Sequence, residues 1–146
     1  MRHALTLAER AAQAGDVPVG AVVVSSSGEL LGEGWNQRER DGDPSAHAEV
    51  VAIRAAAARL GSWRLAGCTL VVTMEPCPMC AGAAMLARVD RVVLGAWDPK
   101  LGACGSVWDV LRDRRATHRA EVVGGVLEQE CGDVVRRFFD GHRPPR

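Results

Sequence analysis

The chain carries no net charge: its 18 Lys and Arg residues are matched by 18 Asp and Glu. That excludes the global positive field of a strongly basic nucleic-acid binder. Any affinity for a polyanion must come from a local patch. Lysine is nearly missing, with Lys100 the single example, and arginine supplies the rest. Arginine suits bidentate phosphate contacts, although coding bias is the plainer account of the excess. No apolar run is long enough to cross a bilayer. The first residues are punctuated by Arg2, Glu9, Arg10 and Asp16, where a secretory signal would be continuously apolar. The expectation is a cytoplasmic protein with no membrane association. No internal repeat, low-complexity segment or linker divides the chain. The five cysteines (Cys68, Cys77, Cys80, Cys104 and Cys131) are odd in number, which argues against a disulfide framework. Two sit at metal-ligand spacing, and the other three read as small buried hydrophobes.

What remains is an ordinary globular composition, 47% apolar and 25% charged over 146 residues. That length suits one domain with a real core, spanning 1–146 with 140–146 as a flexible tail. Residues 2–14 read as an amphipathic helix, with Ala4, Leu5, Ala8, Ala11 and Ala12 on one side. Strands follow at 19–25 and 30–35, joined by the turn Ser26-Ser27-Gly28. Residues 36–46 are polar and read as a loop. A helix runs over 47–60 and stops at Gly61. Strands are expected at 69–73, 91–95 and 120–123, and helices at 78–87 and 127–139. A short helix is expected at 107–112. The helix at 78–87 carries no charge, so it should be central and tightly packed. The alternation gives an α/β fold, a three-layer α/β/α sandwich around a central five-stranded mixed sheet.

Two short stretches carry chemistry: His47-Ala48-Glu49 and Pro76-Cys77-Pro78-Met79-Cys80. They offer one imidazole, two thiols and one carboxylate. A catalytic zinc needs three protein ligands, an open position for water and a nearby group to move protons. Cys77 and Cys80 share a helix face at i and i+3, at a helix start that favours thiolate. His47 opens the other helix. Glu49, two residues on, reaches the same pocket only if the backbone is still turning at His47, since mid-helix spacing would splay the two side chains apart. H-x-E…P-C-x-x-C is the signature of zinc nucleobase deaminases. Two other readings stay open: a thioredoxin-like redox pair at Cys77 and Cys80, or a structural zinc with Cys68 or Cys104 as fourth ligand. Glu49 taken alone would be a helix-dipole partner.

The segments HAEVVAI (47–53) and TMEPCPMCAGA (73–83) resemble the cytidine deaminase-like superfamily. DVPVGAVVV (16–24), Asn36 eleven residues before His47, and GAWDPKLGACGS (95–106) followed by VWDVL are similar to the bacterial tRNA-specific adenosine deaminases. The resemblance runs from about Arg2 to Phe139. It implies hydrolytic deamination of adenosine to inosine at the wobble position of a tRNA anticodon. It also implies a homodimer in which the anticodon stem-loop touches both subunits. One Zn2+ per chain would be held by His47, Cys77 and Cys80 plus water, with Glu49 as the catalytic proton shuttle. Asn36 matches the family's base-contacting asparagine; without the resemblance it reads equally as a loop cap.

The same resemblance places Asp98 and Lys100 in a loop near the substrate strand, although by themselves they read as turn residues. Phe138 and Phe139 suit stacking on bases or packing of the last helix, one facing each way. Arg143 reads as a phosphate contact or a solvated tail residue. Trp97 falls where the family varies, and its indole suits stacking on a base or packing equally. The tail Asp140 to Arg146 is shorter and less basic than in many members. Two competing functions stay open, the first sharing the catalytic zinc chemistry and the second keeping only a structural zinc. One is deamination of a free base or nucleoside of the guanine or cytosine type, which needs no RNA-facing patch. The other is a non-catalytic RNA-binding subunit, which would lack Glu49.

Overall fold

The structure, a computed structural model, describes residues 1–144. Pro145 and Arg146, the end of the expected tail, lie outside the described residues. β1 (Gly20–Val24) is apolar along its length because both its faces are covered. β2 (Leu30–Trp35) returns antiparallel to it through a turn in which Gly28 takes φ +84°. β3 (Thr69–Met74), β4 (Arg91–Ala96) and β5 (Glu121–Val123) run parallel to one another. The order is β2-β1-β3-β4-β5, with β1 antiparallel to β3, so the five-stranded sheet is mixed as expected.

Strand alternation divides the core in two. Val22, Val71 and Val93 stand side by side on one face and meet Leu7 of α1 (Arg2–Gln13). Leu7, rather than Leu5, is the leucine fully buried from this helix. α5 (Glu128–Gly141) lies on the same face, where a Cβ at Gly95 would overlap Cys131. The opposite face carries Ala21, Val23, Leu70, Val72, Val92 and Leu94. It packs on α3 (Ala48–Leu60) and α4 (Pro78–Leu86). The layers are therefore helix, sheet, helix.

α3 approaches β2 unusually closely. Its alanines 48, 52 and 56, spaced four apart on one face, lie over Gly32 and Gly34. A Cβ at Gly34 would come within 2.7 Å of the Ala52 amide nitrogen and 2.9 Å of Val51 Cβ. The bare strand backbone sets how deep the helix sits, and α3 begins next to His47.

Four expectations need correction. Residues 36–46 are not all loop, because α2 (Arg38–Asp41) forms there. The fully buried Asp16 carboxylate accepts the Glu39 and Arg40 amides at 2.7 and 3.1 Å and so starts that turn from another segment. Residues 107–112 form no helix. Their amides bond back across the loop instead, Val107 to Gly102 O at 2.9 Å and Val110 to Ala103 O at 2.9 Å. α4 buries Cys80, Ala81 and Ala84 but exposes Met79 and Leu86. Finally, α5 continues to Gly141, into the expected tail. No helix among the described residues is long and apolar enough to cross a membrane.

The close contact gives a direct test. Gly34→Ala is expected to destabilise the fold by about 1–3 kcal/mol through overpacking, read by urea unfolding. Zinc content should fall with it, because α3 carries His47 into place.

Candidate active site at two helix starts

β3 and β4 end side by side, Met74 opposite Ala96, and the chain leaving each enters the site. Ligand sites of open α/β sheets form at the carboxyl ends of strands for this reason. His47 is the N-cap of α3 and Cys77 the N-cap of α4, both with extended backbone (φ −70°, ψ 151° and φ −73°, ψ 173°). Neither side chain caps its own helix, so imidazole and thiol face a common point. Pro78 opens α4 where a missing N–H costs nothing.

His47 Nδ1 lies 3.6 Å from Cys77 Sγ and 3.5 Å from Cys80 Sγ. Tetrahedral zinc, with bonds of about 2.0–2.1 Å to nitrogen and 2.3 Å to sulfur, places such donors about 3.5 Å apart. The three ligand atoms all lie within 4.8 Å of one another, so the donor set fits one zinc ion. Neither Cys68 nor Cys104 joins the group among the described residues. With no fourth thiol to close it, the arrangement is that of a catalytic rather than a structural zinc. The imidazole within the cluster also sets it apart from a simple redox pair.

Glu49 occupies the first turn of α3 and is 4% exposed. The extended backbone at His47 lets both side chains serve one cleft despite their spacing. Cys80 Sγ donates to Glu49 Oε2 at 3.2 Å. Burial pushes the Glu49 carboxyl above its ordinary range. The hydrogen bond with Cys77 pushes the His47 imidazole up, against the effect of burial. Cys77, hydrogen-bonded by Cys80 and then by His47, falls from 9.0 to about 4. Cys80, held beside Cys77 and deeply buried, is pushed up. Those opposite directions leave Cys77 the readier thiolate and Cys80 the readier holder of a proton. Metal binding must drive that proton off.

The cleft in front of the cluster is lined by Asn36, Glu49, Met74, Glu75, Asp98 and Leu101, among others. Asn36 is buried; Nδ2 donates to Val17 O at 3.1 Å and Oδ1 accepts from Arg38 N at 3.2 Å. One amide hydrogen and one lone pair remain. The loop-cap and base-contact readings of Asn36 are therefore compatible. Asp98 is a turn residue, its Oδ1 accepting the Lys100 and Leu101 amides at 2.9 and 3.3 Å, and it also borders the cleft. Lys100 faces an adjoining groove with Phe139 and Arg143. The structure does not bring Phe138 to that groove: its ring is half-buried and stacked on His142 with centroids 4.2 Å apart, and Phe139 takes its place.

Sequence reasoning missed two residues, Asp16 and Glu75. Glu75 is 3% exposed and accepts the amides of Asp98 (2.9 Å), Cys104 (3.0 Å) and Ser106 (3.1 Å), as well as the Ser106 hydroxyl. It ties the loop after β4 to the segment that carries Cys77. The only signal was position, an acidic residue inside an otherwise apolar stretch: Asp16 heads DVPVGAVVV and Glu75 sits in TMEPC.

A mixed sheet with two helix starts converging on a His-Cys-Cys donor set, beside a buried glutamate, defines a zinc-dependent deaminase. The chain belongs to the family of the cytidine and deoxycytidylate deaminase zinc-binding region, whose pattern matches residues 1–96. It is similar to the tRNA-specific adenosine deaminase of Bacillus subtilis, 50% identical over 139 residues that cover 95% of this chain and 86% of that one. It is also similar to the tRNA-specific adenosine deaminase of Haemophilus influenzae, 46% identical over 143 residues, or 98% and 83% of the two chains. It superposes on a chain from structural work on A-to-I editing by tRNA:A34 deaminases at the wobble position of transfer RNA. The TM-score is 0.88, with 39% identity over 92% of this chain and 96% of the other.

Thiol chemistry checks the site electrostatics. After chelation, iodoacetamide should label Cys77 first, at a rate nearly flat from pH 6 to 8 because its thiolate persists above a pKa of about 4. Cys104, pushed up to about 12 by burial, and Cys131, pushed up to about 11, should react slowly. Zinc should protect Cys77. Mass mapping of the adducts reads all of this.

Proposed function

We propose that this protein hydrolyses adenosine at the wobble position of a tRNA anticodon to inosine, releasing ammonia. The observation that carries the proposal is the buried Glu49 carboxyl held against the His47, Cys77 and Cys80 cluster, in one cleft with the half-satisfied Asn36 amide. The choice of substrate is supported by the tRNA-specific relatives, whose similarity covers nearly the whole chain. Zinc held by His47, Cys77 and Cys80 would supply Lewis acidity, bringing the pKa of water towards neutrality.

The chain's own groups handle the protons. Glu49 takes one from the attacking water as oxygen bonds to the purine carbon bearing the amino group, and delivers it to the adjacent ring nitrogen. It then moves the proton of the new hydroxyl to the amino nitrogen. The C–N bond breaks, ammonia leaves and a carbonyl remains. A group that must both accept and return a proton works best with its pKa raised towards neutrality, the direction in which burial moves Glu49. The free hydrogen and lone pair of Asn36 orient the base. Asp98 forms a wall of the cleft. Lys100 and Arg143 meet the phosphates of the flanking strand, and Phe139 offers the exposed ring beside them.

We further propose that the enzyme is a single-domain cytoplasmic homodimer. Met79, Gly82, Ala83 and Leu86 recur along α4 at the spacing of one helix face. Leu86 is 62% exposed and Met79 is 40% exposed on this chargeless helix. A second copy covers that stripe.

Two measurements test these readings. On an anticodon stem-loop with adenosine at the wobble position, wild type should form inosine. Glu49→Ala should lose at least about 10²-fold in kcat, with about one zinc per chain retained in both, as three ligands require. Full activity in Glu49→Ala would overturn the mechanism. In sedimentation at micromolar concentration, wild type should be dimeric and Leu86→Glu monomeric; a monomeric wild type would remove the dimer.

A further inference from the structure

Trp97 directly precedes Asp98 and is 39% exposed. It is not a loose surface side chain. A Cβ at Gly124 would overlap the benzene edge of the indole, reaching 2.8 Å from Cε2, and one at Gly105 would stand 3.7 Å from Cζ3. The ring edge packs closely on Gly124, where any side chain would overlap it, and passes near Gly105. Packing explains that edge and leaves the open part of the indole unexplained.

That open part lines a cavity with Met74, Gly132, Val135 and Arg136. Met74 also lines the reaction cleft. Val135 and Arg136 also line the groove of Lys100, Phe139 and Arg143. Three cavities thus share walls around residues 97–101: Asp98 and Leu101 border the first, Trp97 the second and Lys100 the third. Lys100, with Arg136 and Arg143 that pair with Asp133 and Asp140, lines the far walls beside Glu128. Cations flanking an aromatic surface are the parts of a single-strand track, in which bases stack and phosphates meet cations.

We propose that Trp97 is a stacking platform for the base of a nucleotide adjoining the edited adenosine, and that it makes turnover depend on that neighbour. This rests on the RNA-substrate reading above. The occupant is a base because the cavity continues from the cleft that takes one. The indole is already packed along one edge, so little side-chain freedom is lost on binding. Stacking on a ring face is sequence-tolerant, so Trp97 senses that a neighbouring base is present more than which base it is.

The test is a cycle between protein and RNA. Stem-loops are made intact or with an abasic residue on the 5′ or the 3′ side of the edited adenosine. KM and kcat are measured for wild type, Trp97→Phe, Trp97→Leu and Trp97→Ala, with zinc content as a check on folding. Wild type should lose roughly tenfold or more in KM when the stacked base is removed on one side, with kcat little changed. Trp97→Ala should show that loss already on intact RNA and no further loss on the abasic one. Trp97→Leu fills the space beside Gly124 without an aromatic face and should behave like Trp97→Ala even if the alanine variant folds poorly. Trp97→Phe should keep most of the effect. Losses that simply add for both abasic RNAs, or unchanged kinetics in Trp97→Leu, would overturn the assignment of Trp97 while leaving the tRNA reading intact. No inosine from wild type on intact RNA would overturn the reading beneath it.

Discussion

Helices α3 and α4 start at nearly the same point, and the first residue of each entry, His47 and Cys77, spends its side chain on the neighbouring start rather than on its own helix. Everything chemical depends on that convergence. Both helices direct their positive ends at the cluster, which favours thiolate there. The depth of α3 sets whether the convergence succeeds, and Gly32 and Gly34 set that depth. A shift of about 1.5 Å, the length of one C–C bond, would take Nδ1 out of range of the two sulfurs. A packing contact between an alanine stripe and a bare strand thus governs a coordination distance.

The walls of the cleft are held by two buried carboxylates in places where regular structure supplies no partners. Asp16 satisfies the first amides of α2, and Glu75 satisfies three amides and a hydroxyl of the loop after β4. A buried carboxylate is costly unless several donors meet it, and a buried loop amide is costly unless an acceptor meets it. Each group resolves the other's difficulty. The result is irregular backbone tied at several amides, and a binding wall needs such support.

The residues that could be read from the sequence act through local pattern. The zinc donors lie at fixed short spacing, the strands follow runs of Val and Leu, and Gly61 stops α3. The misread parts depend on partners far along the chain. α2 needs Asp16, more than twenty residues away. In the segment 107–112 only Leu111 and Arg112 favour a helix, and the amides of Val107 and Val110 are claimed by Gly102 and Ala103. The exposed stripe of α4 could not be separated from a buried one, because small apolar residues suit either place. Between Phe138 and Phe139 the sequence gives no preference. The structure decides, because His142 captures the first ring and leaves the second in the groove.

The same segments carry the donor cluster and line the cleft. Glu75 lies two residues before Cys77, and the amide of Ala103 in the far loop bonds to Pro76 O at 2.8 Å between them. On the other side, Asn36 and His47 bracket the stretch that Asp16 anchors. Neither wall can move without pulling on a ligand of the cluster. This explains how a chain with no net charge can hold a polar cleft in register. Trp97 directly precedes the anchored Asp98 amide and packs its ring edge on Gly124. A side chain there can change what lies beside the cleft without disturbing the chemistry inside it.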